Sequence, residues 1–190
     1  MNTLNGLPVH VLLVHAVVVL MPLSALVLVL TAFWASARRR LAGANALLAL
    51  STVVIVPLTT GAGEWLEQHV PNSEQVREHA EVGGTAIFFA IALAVMAVVI
   101  WWRDRESDLQ TRDAAHAARD LDTRSGTVLT RLPLMQRTWL APASKTVTRV
   151  IAVIAVLVAV ATLYDIYRIG DSGAKASWDG KVTSAPYVGG

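Results

Sequence analysis

The chain has 190 residues, 54% of them hydrophobic, with a mean hydropathy of +0.51 and a formal charge of +2. That is too apolar for an ordinary soluble domain, and the apolar residues fall in blocks long enough to cross a bilayer. There is no cysteine, which excludes disulfides, thiolate metal sites, iron–sulfur clusters and cysteine nucleophiles.

Taken in chain order, the first apolar block predicts a helix over 9–34, followed by the run Arg38-Arg39-Arg40. The second block predicts a helix over 41–60, the third over 83–102 and the fourth over 150–169. Trp34, Trp101, Trp102, Tyr164 and Tyr167 stand at block ends, where amphipathic rings favour the headgroup level. A spanning segment must satisfy its own backbone, and neither the block lengths nor the pattern suits a barrel. The expected fold is an all-α integral membrane four-helix bundle forming a single domain, with 103–149 a polar loop and 170–190 a tail. Within that loop, Arg112-Asp113 and Arg119-Asp120 suit a solvated helix with paired charges, and no role is assigned to His116. Leu129, Leu132, Met135, Trp139 and Leu140 make an apolar stripe suited to a membrane surface, interrupted by Pro133 and Pro142.

Charge sets the expected direction. The connection after helix one carries three arginines and no acid, and 103–149 carries nine basic and six acidic side chains. The connection between helices two and three carries five glutamates against Arg77, and the tail charges cancel. Lysine and arginine favour the cytoplasmic side, so the two termini and the 61–82 connection are expected outside a bacterial plasma membrane. This distribution also accounts for a pI near 9.3 without a nucleic-acid partner. Ala35-Ser36-Ala37 resembles a signal-peptidase site, but residues 1–8 hold no lysine or arginine, so an uncleaved first span is expected.

With that topology, His10, His15, Glu64 and His79 fall on one side of the membrane, as candidate ligands or proton carriers. Thr60, Glu67, Asp165, Arg168 and Asp171 are the supporting polar groups there. His10 and His15 are five residues apart, so they point about 140° away from each other, and His15 lies about 7 Å deeper. His10 is therefore expected at the interface, and His15 facing the bundle interior. Thr60, Glu64 and Gln68 recur every four residues and share a helix face, one suited to meeting His15. Pro57 is expected to bend helix two, with Thr59 or Thr60 re-satisfying freed backbone groups.

No His-Glu-x-x-His or G-x-S-x-G motif is present, and Gly61-Ala-Gly63 is too short to cradle a phosphate. His69 and His79 lack helical metal spacing. Hydrolase chemistry has little support.

The segments GLPVHVLLVHAVVVLMPLSAL (6–26), PLTTGAGEWLE (57–67), V-x-x-HAE-x-G (76–83) and RIGDSGAKASW (168–178) resemble the bacterial membrane family catalogued as domain of unknown function 2231. The likeness spans helices one to four but not 103–148. It implies a histidine pair on the first helix, matched by His10 and His15, and a histidine opening the third, matched by His79. It also implies a histidine in the tail, where this chain has Asp171.

Three classes of function follow. The bland one, preferred at this level, is a non-enzymatic accessory or sensory membrane component whose His/Glu cluster locks the bundle. Its partners would be the lipid bilayer and other membrane proteins or further copies of the chain, and His15 would matter most to stability. The second is a redox module binding haem or a divalent metal through His15 and His79, with Glu64 orienting a ring. The third is proton-coupled transport, opposed by the near absence of ionisable groups in the inner half of the spans.

Overall fold

A computed structural model describes residues 3–4, 6–71, 73–123, 140 and 144–178. A short antiparallel hairpin, β1 (Thr3–Leu4) and β2 (Leu7–Pro8), leads into α1 (Val9–Phe33). Gly6 stands between the strands with φ +80°, a left-handed conformation that glycine adopts without a Cβ penalty. Then follow α2 (Ala35–Glu67), α3 (Glu74–Gly83), α4 (Ala86–Thr123) and α5 (Lys145–Trp178). α1, α2, α4 and α5 are each long and apolar enough to cross a membrane. The chain is thus all-α but for the hairpin, with the makings of a multi-pass membrane protein.

The blocks are where the hydropathy pattern puts them, but the helices run well past them. Arg38-Arg39-Arg40 lies inside α2 rather than in a loop. Only Trp34, in extended conformation, separates α1 from α2. Its amide donates to the Leu30 carbonyl, and its own carbonyl accepts from the Arg38 amide. α2 continues through Pro57 to Glu67 without interruption. The Thr59 and Thr60 hydroxyls donate to the Ile55 and Pro57 carbonyls, not to the Val53 carbonyl that Pro57 leaves without its helical donor. The expected polar loop begins as helix, since α4 continues to Thr123, and α5 runs past the fourth block to Trp178. At 1.5 Å per residue α2 is about 50 Å long, against a hydrocarbon core of about 30 Å. The helices therefore carry polar turns well beyond the lipid. The 129–139 stripe and Pro142 lie outside the described residues.

α1 packs against α2 and α5, and α4 closes the square against the same two helices. α3 lies across one end, against α5 and α2. The interior is built from small residues. Ala42, Ala46 and Ala49 on α2, Ala86, Ala90, Ala94 and Ala97 on α4, and Ala152, Ala155 and Ala159 on α5 are all buried. Their spacing of three or four residues keeps them on one face of each helix, where small side chains let backbones approach closely. Met21, Leu28, Val56 and Leu93 fill the remaining space. Leucines, valines and isoleucines cover the outside, as lipid contact requires.

The two ends of the bundle differ in chemistry. At one, Arg103 is buried and donates to the Leu140 and Ser144 carbonyls and to Thr148 Oγ1, tying α4 to the start of α5. Arg38 lies 3.7 Å from Asp104 in an ion pair joining α2 to α4. The other end holds His10, His69, His79 and α3.

Close packing of alanines predicts an asymmetric response to added bulk. Ala155→Leu, at a fully buried position, should cost about 1–3 kcal/mol by overpacking, lowering the thermal midpoint in detergent. Val153→Leu, at a position 59% exposed on the same helix, should leave it nearly unchanged.

Candidate functional site

The site is at the end of the bundle where α1 begins and α2 and α5 finish. A cavity of about 770 Å³ opens there, walled by the start of α1, the last turns of α2, α3 and the last turns of α5. His10, Thr60, Glu64, Glu67 and His79 all line it, beside Gly63, Gly173 and Lys175.

His10 sits in the first turn of α1 and reaches across to α2. Its Nδ1 lies 2.9 Å from the Thr59 carbonyl oxygen, which can only accept, so Nδ1 carries the proton. The lone pair is left on Nε2. The ring rests against the backbone of α2 at Gly63, where a Cβ would stand 2.9 Å from Cε1 and 3.0 Å from Nδ1. Any side chain at 63 would displace the imidazole, so glycine here makes a seat for it.

His79 repeats the arrangement on another pair of helices. Ser73 caps α3 by accepting from the Val76 amide at 3.2 Å, and α3 then carries His79 over the end of α5. His79 Nδ1 lies 3.0 Å from Ser172 Oγ, and that hydroxyl donates to the Ile169 carbonyl at 3.1 Å. With its proton so committed, Ser172 accepts from Nδ1–H, and the lone pair of His79 is again on Nε2. The seat is Gly173, where a Cβ would lie 3.0 Å from Cε1 of the ring.

The two rings stand with centroids 6.4 Å apart and planes at 77°. Two imidazoles on different helices, each bonded through Nδ1, thus share one cavity. Such locking through the second nitrogen is how metal-binding histidines are oriented. Among the described residues, no group of three or more histidine, aspartate or glutamate side chains is placed to hold a metal ion.

The structure reverses the expected roles of the histidine pair on α1. His15 is exposed, and its Nδ1 bonds the Val11 carbonyl one turn back on its own helix. It does not face the bundle, nor does it meet the Thr60–Glu64 face. His10 is the half-buried one that crosses to α2. Glu64 is exposed on the cavity wall, with Glu67 half-buried beside it. Asp165 is 1% exposed, and its Oδ1 accepts from Thr85 Oγ1 at 2.6 Å, which ties α5 to the start of α4. Arg168 and Asp171 are exposed, and Asp171 pairs with Lys175 at 2.7 Å rather than entering the cavity. His69 stacks on Trp65 and bonds its carbonyl, and His116 is exposed on α4.

Sequence reasoning missed the two seats and their anchors, Gly63, Gly173 and Ser172, and gave Thr59 only a backbone role. The available signal was a glycine inside a helix near its polar end, where helix propensity disfavours it by about 1 kcal/mol and nothing local requires it.

Comparison with protein-family models, with curated proteins and with solved structures returns no match to this chain.

The two glycines of the Gly61-Ala-Gly63 segment should respond oppositely to alanine. Gly61→Ala meets no atom within 4 Å and should stabilise the end of α2 by up to about 1 kcal/mol. Gly63→Ala should displace His10 and lose its bond to Thr59, a net cost of about 1 kcal/mol. Thermal unfolding in detergent measures both, and the His10 ring signals in NMR should move only in Gly63→Ala.

Proposed function

We propose that this chain is a multi-pass protein of a bacterial plasma membrane that holds a metal centre through His10 and His79. The observation that carries the reading is the pair itself. Two imidazoles from separate helices line one cavity, each bonded through Nδ1, which leaves Nε2 as the nitrogen for ligation. A histidine kept only to lock the bundle would gain from bonding at both nitrogens. Here the cross-helix side-chain bonds run through Nδ1 of each ring, to Thr59 and to Ser172.

This favours the binding module over a purely structural cluster, and it moves the site from His15 to His10. The accessory or sensory role becomes the setting of the module. Such a site would report on, or pass electrons to, other proteins in the same membrane.

Membership of the family of domain of unknown function 2231 is part of the proposal. It is supported by how its motifs converge. GLPVH supplies His10, TTGAGE supplies Thr59, Gly63 and Glu64, HAE-x-G supplies His79, and SGAK supplies Ser172, Gly173 and Lys175. Segments spread over residues 6–175 of the sequence thus build one cavity. The charge distribution supports an extracytoplasmic location for it, with the Arg38–Arg103 end at the cytoplasm.

Metal content tests the function. Protein purified in detergent should contain a stoichiometric transition metal. His10→Ala and His79→Ala should each remove it, while His15→Ala and His69→Ala should keep it. Metal-free protein that takes up neither copper(II) nor haem would sink the reading. The orientation is tested separately in this cysteine-free chain. Gln68→Cys should react with an impermeant maleimide in intact cells, and Ser107→Cys only after permeabilisation. The reverse pattern would place the cavity on the cytoplasmic side.

A further inference from the structure

Spacing, ligand number and room together narrow the kind of metal centre. Two imidazoles bonded to one metal at about 2.0–2.1 Å have centroids about 6.4 Å apart when the bonds are trans, and about 5 Å apart when they meet at a tetrahedral angle. The observed separation is 6.4 Å, the spacing of a trans pair and wider than that of two corners of a tetrahedron.

Ligand number points the same way. Structural zinc takes four protein ligands, and calcium six to eight oxygens. No third side chain joins His10 and His79 in such a group among the described residues. A centre that brings its own equatorial ligands needs only two axial imidazoles from the protein.

The cavity has the room and the surface for such a centre. Its volume is about 770 Å³, far more than a bare ion needs. Val11, Leu66, Val70 and Val76 supply apolar wall, and the charged groups of the lining are Glu64, Glu67 and Lys175, the last paired with Asp171. An apolar macrocycle matches the wall, and Lys175 is the group its acidic substituents would meet.

We propose that the cavity binds an iron porphyrin, with His10 and His79 as trans axial ligands. This rests on the reading of the site as a metal centre. Gly63 and Gly173 are then the positions that let each ring lie flush against its supporting helix, and the bonds to Thr59 and Ser172 fix which nitrogen faces the iron.

The test is titration of the full-length protein in detergent with ferric haem. Binding should saturate at one haem per chain, with a six-coordinate low-spin spectrum and sharp α and β bands on reduction. Ring planes at 77° should give a strongly anisotropic low-spin EPR signal in the ferric form. His10→Ala and His79→Ala should each convert the spectrum to five-coordinate or abolish binding, while His15→Ala should leave it unchanged. Because an alanine variant can fail to fold, His79→Gly is paired with added imidazole, which should restore the six-coordinate spectrum. Haem that binds with a spectrum indifferent to both His10 and His79 overturns the proposal. Copper(II) or iron that depends on both histidines, with no haem taken up, overturns the porphyrin and leaves the metal site standing. Absence of both haem and metal overturns the two together.

Discussion

The register between α1 and α2 is the constraint on which the rest of this structure depends. A single extended residue, Trp34, joins the two helices, so neither can slide along the other without breaking the corner. At the far end of the pair His10 bonds the Thr59 carbonyl, and at the near end Arg38 Nη1 donates to the Thr31 carbonyl at 3.4 Å. Both helices advance seven residues per two turns, which nearly restores the starting direction. Steps of seven residues between those two contacts match positions 10, 17, 24 and 31 with 59, 52, 45 and 38, as rungs about 10.5 Å apart. The cavity hangs on the outermost rung. Shifting α1 by one residue would rotate His10 by about 100° and take it off its glycine seat.

The second half of the site depends on a different device. α3 is short, amphipathic and without a buried residue, so it has little to hold it in place by itself. Its position comes from neighbours: the Ser73 cap before it, the His79–Ser172 bond along it, and the Thr85–Asp165 bond just after it. Asp165 and Ser172 are seven residues apart on α5, so they present one face to the connection from α3 to α4. The result is a paired site built from unequal halves. His10 is fixed by the bundle itself. His79 is carried on a small helix whose attachments lie close to the cavity, and it is the half that a ligand would order most.

Much of this architecture is legible in the sequence, because bilayer thickness and the cost of bare backbone in lipid leave few alternatives to four long apolar helices. The helix ends are not legible by the same means. A hydropathy block stops at the first charges, whereas a helix has no reason to stop there. The Arg38-Arg39-Arg40 run and the Arg103–Thr123 segment are accordingly helical. The exchange of roles between His10 and His15 has a related cause. Depth can be counted along a chain, but rotation cannot be read from α1, whose residues are apolar on nearly every side. With no polar face to orient the helix, burial of the deeper histidine is a reasonable inference. What turns His10 inward instead is the partner helix, through the Thr59 carbonyl and the space at Gly63. Neither can be paired with position 10 before the register is known.

The interior rungs do little to hold that register in lipid. Sliding apolar helices past each other there gains or loses little, because acyl chains are as apolar as leucine. The polar rungs add no bond between the helices. Thr31, Thr52, Thr59 and Thr162 are buried but bond carbonyls three or four residues back on their own helices, so they would tolerate a shifted partner. Ser24 and Asn45 are different. Both are buried, and neither Ser24 Oγ nor the Asn45 amide has a hydrogen-bond partner among the described residues. The register inferred from the His10–Thr59 and Arg38–Thr31 contacts brings positions 24 and 45 to the same level. Their polar atoms are buried and unpaired in this register, so they carry a desolvation cost and supply no bond between the helices. What ties the register is therefore the one-residue corner at Trp34 together with the Arg38–Thr31 bond at one end and the His10–Thr59 bond at the other.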